Sequence, residues 1–368
     1  MPLPIRSNVL RMHPYSPGKP VSEVQREFGL DRVVKLASNE NPLGPSPKAV
    51  RAVEEAAKQL HIYPDGSSYD LKQAIAHHYD LPANQIVVGN GSDELIHLLG
   101  LLFLGEANDE IMVGSPGFSR YWASAHLVPS RVVEVPLDAD FRHDLTAMAR
   151  AVSENTRMIF VANPHNPTGT IVRKNEVDRF LDDVPESVAV VLDEAYYEFA
   201  DGVADFPVST DYVRTRPNVI GLRTFSKTYG LAGIRIGFGF VPAEVSDAID
   251  RAREPFNANS LAQVAAIAAL GDDEHIRATV QSNTEGLGRI AAAFRACGAT
   301  PTESFANFVW ADLHRPARPV FQALLERGVI TRCGDVFGHP TCLRVSVGTA
   351  EEIGIFVETL NQVLEEVR

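Results

Sequence analysis

Residues 219–240 read VIGLRTFSKTYGLAGIRIGFGF, and this stretch decides the fold class. Its first run, Val219–Leu222, is apolar and β-rich, which is typical of a buried strand. The run leads directly into a polar segment that ends at Lys227, in a glycine-rich setting. A second strand is predicted at Arg235–Phe240, and we expect it to be antiparallel because it follows so closely. The stretch therefore predicts a lysine just beyond the carboxyl end of a strand.

Outward from this stretch, short apolar runs alternate with helical or loop segments. Leu95, Leu98, Leu99 and Leu102, for example, follow the spacing of one helix face. Such alternation is typical of a mostly parallel central sheet flanked by helices, an α/β fold. The other predicted strands of this sheet are Ile86–Val88, Ile111–Val113, Val132–Val135, Met158–Ala162 and Val188–Leu192.

The chain as a whole predicts three parts. Residues 1–45 are rich in proline and turn residues, with one helical piece at Val21–Phe28. They predict an N-terminal arm that packs on the small domain and on the partner subunit. Residues 46–245 carry the strand alternation and predict a large domain. Residues 246–368 predict a smaller α+β C-terminal domain. The elements predicted from residue 242 onward are a helical stretch to Phe294, strands at Phe308–Asp312 and Cys342–Val347, and helices near Val320–Arg327 and at the chain's end.

Polar clusters follow most of the central strands, at the point where each strand ends. Ligands bind outside the carboxyl ends of strands in an open parallel sheet, so these clusters are expected to converge on one crevice. Each cluster alone indicates little, and their joint placement indicates a site. The clusters are residues 89–94, 115–118, 163–169, 193–196 and 223–227.

Two of the clusters contain candidate binding residues, each with a structural alternative. Gly91 and Ser92 at a strand-to-helix turn present backbone N–H groups that suit a phosphate; alternatively, Ser92 is an ordinary N-cap. Asp193 is expected to be buried at a strand end and so needs a partner, either a protonated ring nitrogen or a structural arginine. Glu194 is a weaker candidate because adjacent strand side chains point oppositely.

The lysine stretch offers two further candidates, each with a structural alternative. Lys227 is surrounded by apolar and glycine-rich sequence, where loss of solvation would lower the pKa of its amine and make it a nucleophile. Its alternative is a surface lysine with a buried stem. Arg235 suits a bidentate phosphate contact, and its alternative is a salt-bridged strand arginine.

Composition excludes several classes of protein. The 34 Lys+Arg and 47 Asp+Glu of this 368-residue chain give a net charge of −13, which argues against nucleic-acid binding but allows a small anion held by local arginines. Three cysteines predict a reducing compartment and no thiolate metal site. The N-terminus lacks a secretory signal, and Leu95–Leu104 is too short to cross a membrane, so a cytoplasmic protein without membrane partners is expected.

The ordered motifs of the sequence resemble those of fold-type I pyridoxal-phosphate (PLP) aminotransferases over essentially the whole chain. Within that family the resemblance is strongest to the histidinol-phosphate aminotransferases, through PYSPGKP, LASNENPLGPSP and GVITRCGDVFG. The motifs that carry the family resemblance are PYSPGKP (14–20), KLASNENPLGPSP (35–47), YPDG (63–66), GNGSDE (89–94), NPHNPTG (163–169), DEAYYEF (193–199), TFSKTYGLAGIRIGF (224–238), SFANF (304–308) and CLRVSVGT (342–349).

The resemblance implies a role for each matching residue and makes residues 46–245 the PLP-binding domain. Lys227 would bind PLP covalently and move protons, Asp193 would keep the ring nitrogen protonated, and Tyr196 and Asn166 would contact the ring hydroxyl. Phe118 would stack on the ring, where many relatives have Tyr or Trp. The resemblance implies phosphate contacts from Gly91, Ser92, Asp93, Ser226 and Arg235. It also implies a homodimer in which Tyr63 of the neighbouring subunit contacts the phosphate. Substrate contacts are implied for Arg344 and, with a weaker match, for Tyr15, Asn39, Asn307 and Arg332.

The implied activity is reversible amino transfer between histidinol phosphate and 2-oxoglutarate, in histidine biosynthesis. An aromatic amino acid aminotransferase is the first alternative, because relatives with these motifs can accept Phe or Tyr. A PLP-dependent amino-acid-phosphate decarboxylase is the second. A non-catalytic PLP-binding regulator is disfavoured because every catalytic position is filled.

Overall fold

A computed structural model describes residues 3, 5–10, 12, 14 and 18–366 of the chain, so Tyr15 lies outside the described residues. Its strands are β1 (Val34–Lys35), β2 (Ile86–Gly89), β3 (Glu110–Ser115), β4 (Arg131–Pro136), β5 (Thr156–Ala162), β6 (Ala189–Asp193), β7 (Val219–Thr224), β8 (Gly237–Phe240), β9 (Thr300–Pro301), β10 (Phe308–Asp312), β11 (Val329–Ile330), β12 (Arg332–Cys333) and β13 (Cys342–Ser346).

Helices of very different lengths connect and cover these strands. Short 3-10 turns also occur, among them Gly334–Phe337. The helices are α1 (Ser7–Leu10), α2 (Val21–Phe28), α3 (Pro47–Ala56), α4 (Tyr69–Tyr79), α5 (Ser92–Phe103), α6 (Arg120–His126), α7 (Leu145–Ala151), α8 (Lys174–Asp183), α9 (Tyr197–Ala200), α10 (Ser209–Val213), α11 (Ala243–Ala252), α12 (Ser260–Leu270), α13 (Asp273–Ala296), α14 (Ala317–Glu326) and α15 (Ala350–Glu366).

Within the described residues, seven strands form the central sheet, in the order β2-β8-β7-β6-β5-β3-β4. The strands from β7 to β4 pair in parallel, whereas β8 runs antiparallel to both β7 and β2. The predicted mostly parallel α/β sheet and the antiparallel strand after Lys227 are therefore confirmed. This order brings the carboxyl ends of β3, β5, β6 and β7 to one edge of the sheet.

Both faces of the central sheet are buried, which explains its continuous apolar runs. Along β5, Ile159 and Val161 pack into the core on one face, while Met158 and Phe160 pack into a second core on the other face. Alternate side chains of a strand point to opposite faces, so both sets need a helical cover. Burial of each large apolar side chain contributes roughly 1.5–3 kcal/mol to stability.

A second, smaller sheet forms from the C-terminal part of the described chain, in the order β12-β13-β10-β9. It is antiparallel throughout. Its core combines strand residues such as Val309 and Val345 with Phe294 of α13, Leu324 of α14 and Phe356 of α15. The arm contacts this part of the chain through β1, which pairs in parallel with β11.

Several element boundaries differ from the predictions, among them the following three. Strand β8 begins at Gly237 rather than Arg235, because Arg235 adopts a left-handed backbone conformation with a φ of 59°. Strand β6 begins at Ala189, one residue later than expected. The helical stretch predicted from residue 242 is interrupted between α11 and α12, where Glu254 precedes a proline and is disfavoured in a helix.

Helix α12 restarts the helical stretch with its own cap. The side chain of Asn259 accepts a hydrogen bond from the N–H of Ala262 at 2.8 Å, which satisfies one of the helix's first donors. Residues of α12 share a core with the central sheet. The division of the chain at residue 245 stays a prediction. Among the described residues, no helix has the length and apolar character that a membrane span requires.

Candidate active site

A cavity of about 1040 Å³ lies at the carboxyl ends of β3, β5, β6 and β7. It collects side chains from each of the five polar clusters seen in the sequence, together with residues of the arm and of the small sheet. The implied site residues that line it are Asn39, Ser92, Asp93, Phe118, Asn166, Asp193, Tyr196, Ser226, Lys227, Arg235, Arg332 and Arg344.

Asp193 closes β6 and is 4% exposed. Its carboxylate accepts hydrogen bonds from the Tyr121 hydroxyl at 2.7 Å and from the N–H of Ala195 at 3.1 Å. Burial raises the pKa of Asp193 to about 6, and the two hydrogen bonds oppose that rise. Both of these donors, a hydroxyl and a backbone N–H, are neutral. A cationic partner inside the cavity would relieve the cost of its burial.

Glu194, the next residue, faces away from the cavity as its strand position predicts. Its carboxylate accepts hydrogen bonds from Arg223 Nε at 2.9 Å and from the Ser209 hydroxyl and N–H, each at 2.6 Å. Both members of the Arg223–Glu194 ion pair are buried. The structural arginine that was one alternative for Asp193 therefore pairs with its neighbour instead.

Lys227 lies three residues beyond β7 and is half-buried. Its Nζ lies 3.5 Å from the carbonyl oxygen of Ser38 and 5.6 Å from the ring centroid of Tyr196. The amine therefore points into the cavity from the central sheet and lies beside the segment that follows β1. This position suits an amine that reacts with a bound molecule, not a lysine directed to the surface.

The start of α5 forms a cradle for an anion. Gly91, with a φ of 74°, is the N-cap of this 12-residue helix, so the alternative that made Ser92 the N-cap is wrong. A Cβ on Gly91 would lie 2.5 Å from Arg235 Nη2, and a Cβ on Gly237 would collide with the backbone N of Ser92. The two glycines thus allow a guanidinium and a neighbouring strand to approach the helix N-terminus closely.

Arg235 completes this cradle. Its Nη1 lies 3.5 Å from Ser226 Oγ, and its Nη2 lies 3.5 Å from a carboxylate oxygen of Asp93. The side chains of Arg235 and Asp93 are both more than a third exposed, so this ion pair contributes little to stability. A phosphate group requires several hydrogen-bond donors. The N-terminus of α5, the Arg235 guanidinium and the Ser226 hydroxyl provide such donors close together.

Tyr196 is held by Asn39, a residue of the segment after β1. Asn39 Nδ2 donates to the Tyr196 hydroxyl at 2.9 Å. Burial raises the pKa of Tyr196 to about 12, so its hydroxyl keeps its proton at neutral pH. Asn307 does not line the cavity among the described residues; its amide donates to the carbonyl oxygen of Asn39 at 3.0 Å. Asn307 thus supports Asn39 from behind.

Arg344 and Arg332 lie opposite each other on neighbouring antiparallel strands, β13 and β12. Residues paired in this way project to the same face of a sheet, and both line the cavity. Arg344 Nη1 donates to Asn166 Oδ1 at 2.5 Å, and Nη2 donates to the carbonyl oxygen of Ala37 at 2.9 Å. Its guanidinium also lies 5.1 Å from the Phe308 ring centroid. The cavity therefore has a cationic wall contributed by the small sheet.

Of the residues implied to contact PLP, Phe118 lies at the edge of the cavity and Tyr63 lies outside it. Phe118 is half-buried at its edge and meets Tyr121 edge-to-face, with ring centroids 5.7 Å apart. Tyr63 does not line the cavity in the part of the chain that the structure describes. It is 78% exposed and stacks on Phe256, with centroids 4.8 Å apart.

Sequence reasoning missed Tyr121 and the backbone carbonyls of Ala37 and Ser38. Tyr121 follows Phe118 by three residues, a spacing that could have marked it as a neighbour on one helical turn. Its contact with Asp193 depends on the strand order, which no local pattern reveals. Backbone carbonyls carry no sequence signal at all.

Comparison with known proteins agrees with this geometry. The model of the family Aminotransferase class I and II matches residues 31–360. Histidinol-phosphate aminotransferase of Moorella thermoacetica is 47% identical over 360 residues, which cover 98% of this chain and 92% of that protein. Histidinol-phosphate aminotransferase 2 of Carboxydothermus hydrogenoformans is 44% identical over 361 residues, 98% of this chain and 99% of that protein.

A solved structure extends the likeness to three dimensions. The crystal structure of histidinol-phosphate aminotransferase from Sinorhizobium meliloti in complex with pyridoxal-5'-phosphate matches with a TM-score of 0.91 and 29% identity, over 100% of this chain and 99% of that one. The family match spans both sheets and every described residue that lines the cavity from the central sheet. The chain belongs to the class I and II aminotransferases.

Proposed function

We propose that this protein is a PLP-dependent histidinol-phosphate aminotransferase, which moves an amino group between histidinol phosphate and 2-oxoglutarate in histidine biosynthesis. The observation that carries the proposal is the pairing of Arg332 with Arg344 across β12 and β13, on the same cavity as Lys227. This pairing gives the cavity two arginines in addition to an amine that suits covalent attachment of PLP.

The residues of the cavity fit PLP. The anion cradle of Gly91, Ser92 and Arg235 suits its phosphate, and the buried Asp193 carboxylate suits a protonated ring nitrogen. Bound PLP supplies an aldehyde that takes up amino groups and a ring that withdraws electrons from the reacting carbon. Its further contacts would come from Asp93, Phe118, Asn166, Tyr196 and Ser226.

Three side chains of the cavity would have different roles in the reaction. Lys227 Nζ would hold the cofactor and, once released from it, take a proton from the substrate carbon that bears the amino group. Asp193 would keep the ring nitrogen charged, because a buried carboxylate stabilises a cation strongly where water is excluded. Tyr196 keeps its hydroxyl proton at neutral pH and can donate it to the ring hydroxyl.

The substrate's anionic group would bind to the cationic wall. Histidinol phosphate has no carboxylate next to its amino group, and its phosphate carries nearly two negative charges at neutral pH. A chain with a net charge of −13 must attract that dianion with local cations. Arg344 and Arg332 would supply them, and Asn39, whose carbonyl oxygen accepts a hydrogen bond from Asn307, lines the same cavity. Tyr15 is the remaining candidate for this contact.

We further propose a homodimer with shared sites and a cytoplasmic location. Tyr63 is exposed, and nearby apolar side chains such as Leu60 and Ile62 are exposed as well, which supports a protein partner for this surface. A phosphate contact from Tyr63 would then be made in the partner's cavity. The three cysteines are free, which supports a reducing compartment.

A substrate panel with 2-oxoglutarate as the common acceptor tests the proposal. The donors are histidinol phosphate, histidinol, phenylalanine and tyrosine, and the measurement is kcat/KM for 2-oxoglutarate-dependent turnover. We expect histidinol phosphate to exceed both histidinol, its phosphate-free match, and phenylalanine by at least about tenfold, since phosphate contacts to arginine are charge-assisted. A preference for phenylalanine would replace this function with an aromatic aminotransferase. Release of CO2 without consumption of 2-oxoglutarate would indicate a decarboxylase.

A further inference from the structure

Tyr121 is one of the cavity residues that the sequence did not mark. It is the second residue of α6 and is 3% exposed. Its ring stacks on Phe160 of β5, with centroids 4.2 Å apart and an interplanar angle of 12°. The same ring meets Phe118 edge-to-face at 5.7 Å. Two aromatic neighbours therefore fix the ring and, with it, the direction of its hydroxyl.

That hydroxyl is directed at Asp193. Tyr121 Oη donates to Asp193 Oδ2 at 2.7 Å, while the N–H of Ala195 donates to Oδ1 at 3.1 Å. One donor on each oxygen defines the plane of the carboxylate. Strand β5 lies between β3, which precedes α6, and β6, which ends at Asp193, so the Tyr121 ring crosses over β5 to reach it.

We infer that Tyr121 is a positioning residue of the amino-transfer site, which acts by orienting and charging the Asp193 carboxylate and by supporting the Phe118 ring. The inference rests on the proposed function, because it assigns Asp193 and Phe118 to the cofactor ring. The hydroxyl favours the ionised form of Asp193, since a hydrogen bond donated to a carboxylate stabilises its charge.

Two carboxylates near Asp193 act in the opposite direction. Asp93 at the start of α5 and Glu194 next in the chain both raise the pKa of Asp193, as does its burial. Lys227 and Arg235 line the same cavity. Among the side chains that hydrogen-bond to Asp193 in the described residues, Tyr121 is the donor. Loss of its hydroxyl alone should therefore let Asp193 keep its proton to higher pH.

The chain offers a matched control for this test. Tyr212 Oη donates to Asp178 Oδ1, also at 2.7 Å, on α10 and α8 away from the cavity. Tyr121→Phe and Tyr212→Phe each remove one hydroxyl from one tyrosine–aspartate pair and leave the ring in place. If only Tyr121→Phe changes the properties of the site, the effect is due to the loss of the hydrogen bond to Asp193 and not to the loss of any tyrosine hydroxyl.

The first measurement is the pKa of Asp193, which does not depend on enzymatic activity. In protein freed of cofactor, the Asp193 carboxyl is titrated by ¹³C NMR of aspartate-labelled samples, and its signal is identified by its absence in Asp193→Asn. We expect the Asp193 midpoint to rise by about one to two pH units in Tyr121→Phe, because hydrogen bonds to charged groups stabilise them by amounts of that order. Tyr212→Phe should leave this midpoint unchanged.

The second readout is kinetic and uses the loaded enzyme with histidinol phosphate and 2-oxoglutarate. We expect kcat to fall about tenfold or more in Tyr121→Phe, with the KM for either substrate within about twofold of wild type. Tyr212→Phe should retain both constants. A raised KM with an unchanged kcat would overturn the inference, because Tyr121 would then act on substrate binding.

An unchanged Asp193 midpoint in Tyr121→Phe would also overturn it. So would a Tyr121→Phe protein that fails to fold while Tyr212→Phe folds, because the Tyr121 hydroxyl would then be structural. Failure of the proposed function gives a different result: wild-type enzyme would not use histidinol phosphate with 2-oxoglutarate, whatever the titration of Asp193 showed.

Discussion

Asn39 donates a hydrogen bond from its side-chain amide to the Tyr196 hydroxyl, at 2.9 Å. The other end of the same amide, Asn39 Oδ1, accepts from Ser346 Oγ at 2.6 Å. Asn39 adopts a left-handed conformation with a φ of 57°, which Asn tolerates better than most residues. It thus links β13 of the small sheet to the tyrosine at the end of β6.

The Asn39–Tyr196 bond predicts coupled mutational effects. Tyr196→Phe should slow turnover by about 10- to 100-fold through loss of a positioned hydroxyl. Asn39→Gly, which keeps the left-handed backbone accessible, should slow turnover about tenfold. In the double variant the Asn39 effect should largely vanish, a coupling of about 0.5–1.5 kcal/mol. The measurement is kcat/KM for all four proteins, and strictly additive effects would show that the bond does not matter for catalysis.

Lys227→Ala should abolish transamination and the visible absorbance of the lysine-linked cofactor. The amine points into the cavity, 5.6 Å from the Tyr196 ring centroid, where it can react with a bound aldehyde. Absorbance spectra and single-turnover assays after PLP addition check this. Lys72→Ala, which removes a lysine that lies 3.5 Å from Asp250 outside the cavity, is the control and should behave as wild type. A Lys227→Ala protein with near-normal turnover would exclude the assignment.

Arg332→Ala and Arg344→Ala should differ in substrate dependence. Arg332→Ala should weaken histidinol phosphate much more than phenylalanine, because loss of one charge-assisted phosphate contact costs about 1.5–3 kcal/mol. Arg344→Ala should impair both donors, since a carboxylate can use it too. Arg327→Ala, which breaks a surface pair with Glu366, is the control. The measurement is kcat/KM for each donor, and equal losses for Arg332→Ala would favour an aromatic aminotransferase.

Glu198 predicts a pH dependence of stability. This buried carboxylate accepts from the Thr228 hydroxyl at 3.2 Å, and burial raises its pKa from 4.5 to about 7 against the opposing effect of Arg223. A carboxyl with a raised folded-state pKa binds protons preferentially in the folded protein. Its ionisation therefore costs stability progressively from about pH 4.5, and the cost is complete above about pH 7.

Glu198→Gln removes that titration. Relative to wild type, its free energy of unfolding in cofactor-free protein should rise by about 2–3 kcal/mol between pH 4 and pH 8. Urea unfolding at a series of pH values measures the difference. Glu365→Gln, on the exposed end of α15, should show a flat difference. A flat profile for Glu198→Gln as well would mean that Glu198 is not the titrating group.

Tyr63 predicts complementation between subunits. Lys227→Ala and a severely impaired Tyr63 variant each lack one required residue, so a mixed dimer should contain one complete site and regain activity. The motivation is that Tyr63 is exposed and absent from its own subunit's cavity, within the described residues. Activity is measured after mixing and after native mass spectrometry has verified the mixed dimer. Verified mixed dimers without activity would place Tyr63 in its own subunit's site or in none.

The sequence predicted the central sheet well because its strands are buried on both faces. Apolar runs such as Met158–Ala162 carry a strong local signal, and β5 ends at Ala162 as expected. Boundaries near the site were harder to predict. Arg235 has a strand-like sequence context, but it adopts a left-handed backbone conformation, and its guanidinium lies next to Gly91.

The site residues that belong to local sequence motifs were predictable. The residues that reach the site only through the order of the strands in the sheet were not. Five strand-end clusters indicated the crevice, and Asp193 and Lys227 line it. Tyr121 was not found, because its bond to Asp193 joins residues 72 positions apart through the order of three strands. The β1–β11 pair was missed for a similar reason, since two-residue strands have no periodicity to read.

The pairing of Arg332 with Arg344 has an evolutionary consequence. The groups proposed to recognise the substrate's anion lie on β12 and β13. Asp193 and Lys227, which would take part in the reaction, lie at the end of β6 and just beyond β7. Recognition and reaction thus belong to separate sheets and can diverge independently. A descendant of this gene could acquire a different amino donor through substitutions on two adjacent strands, while the reacting machinery remained unchanged.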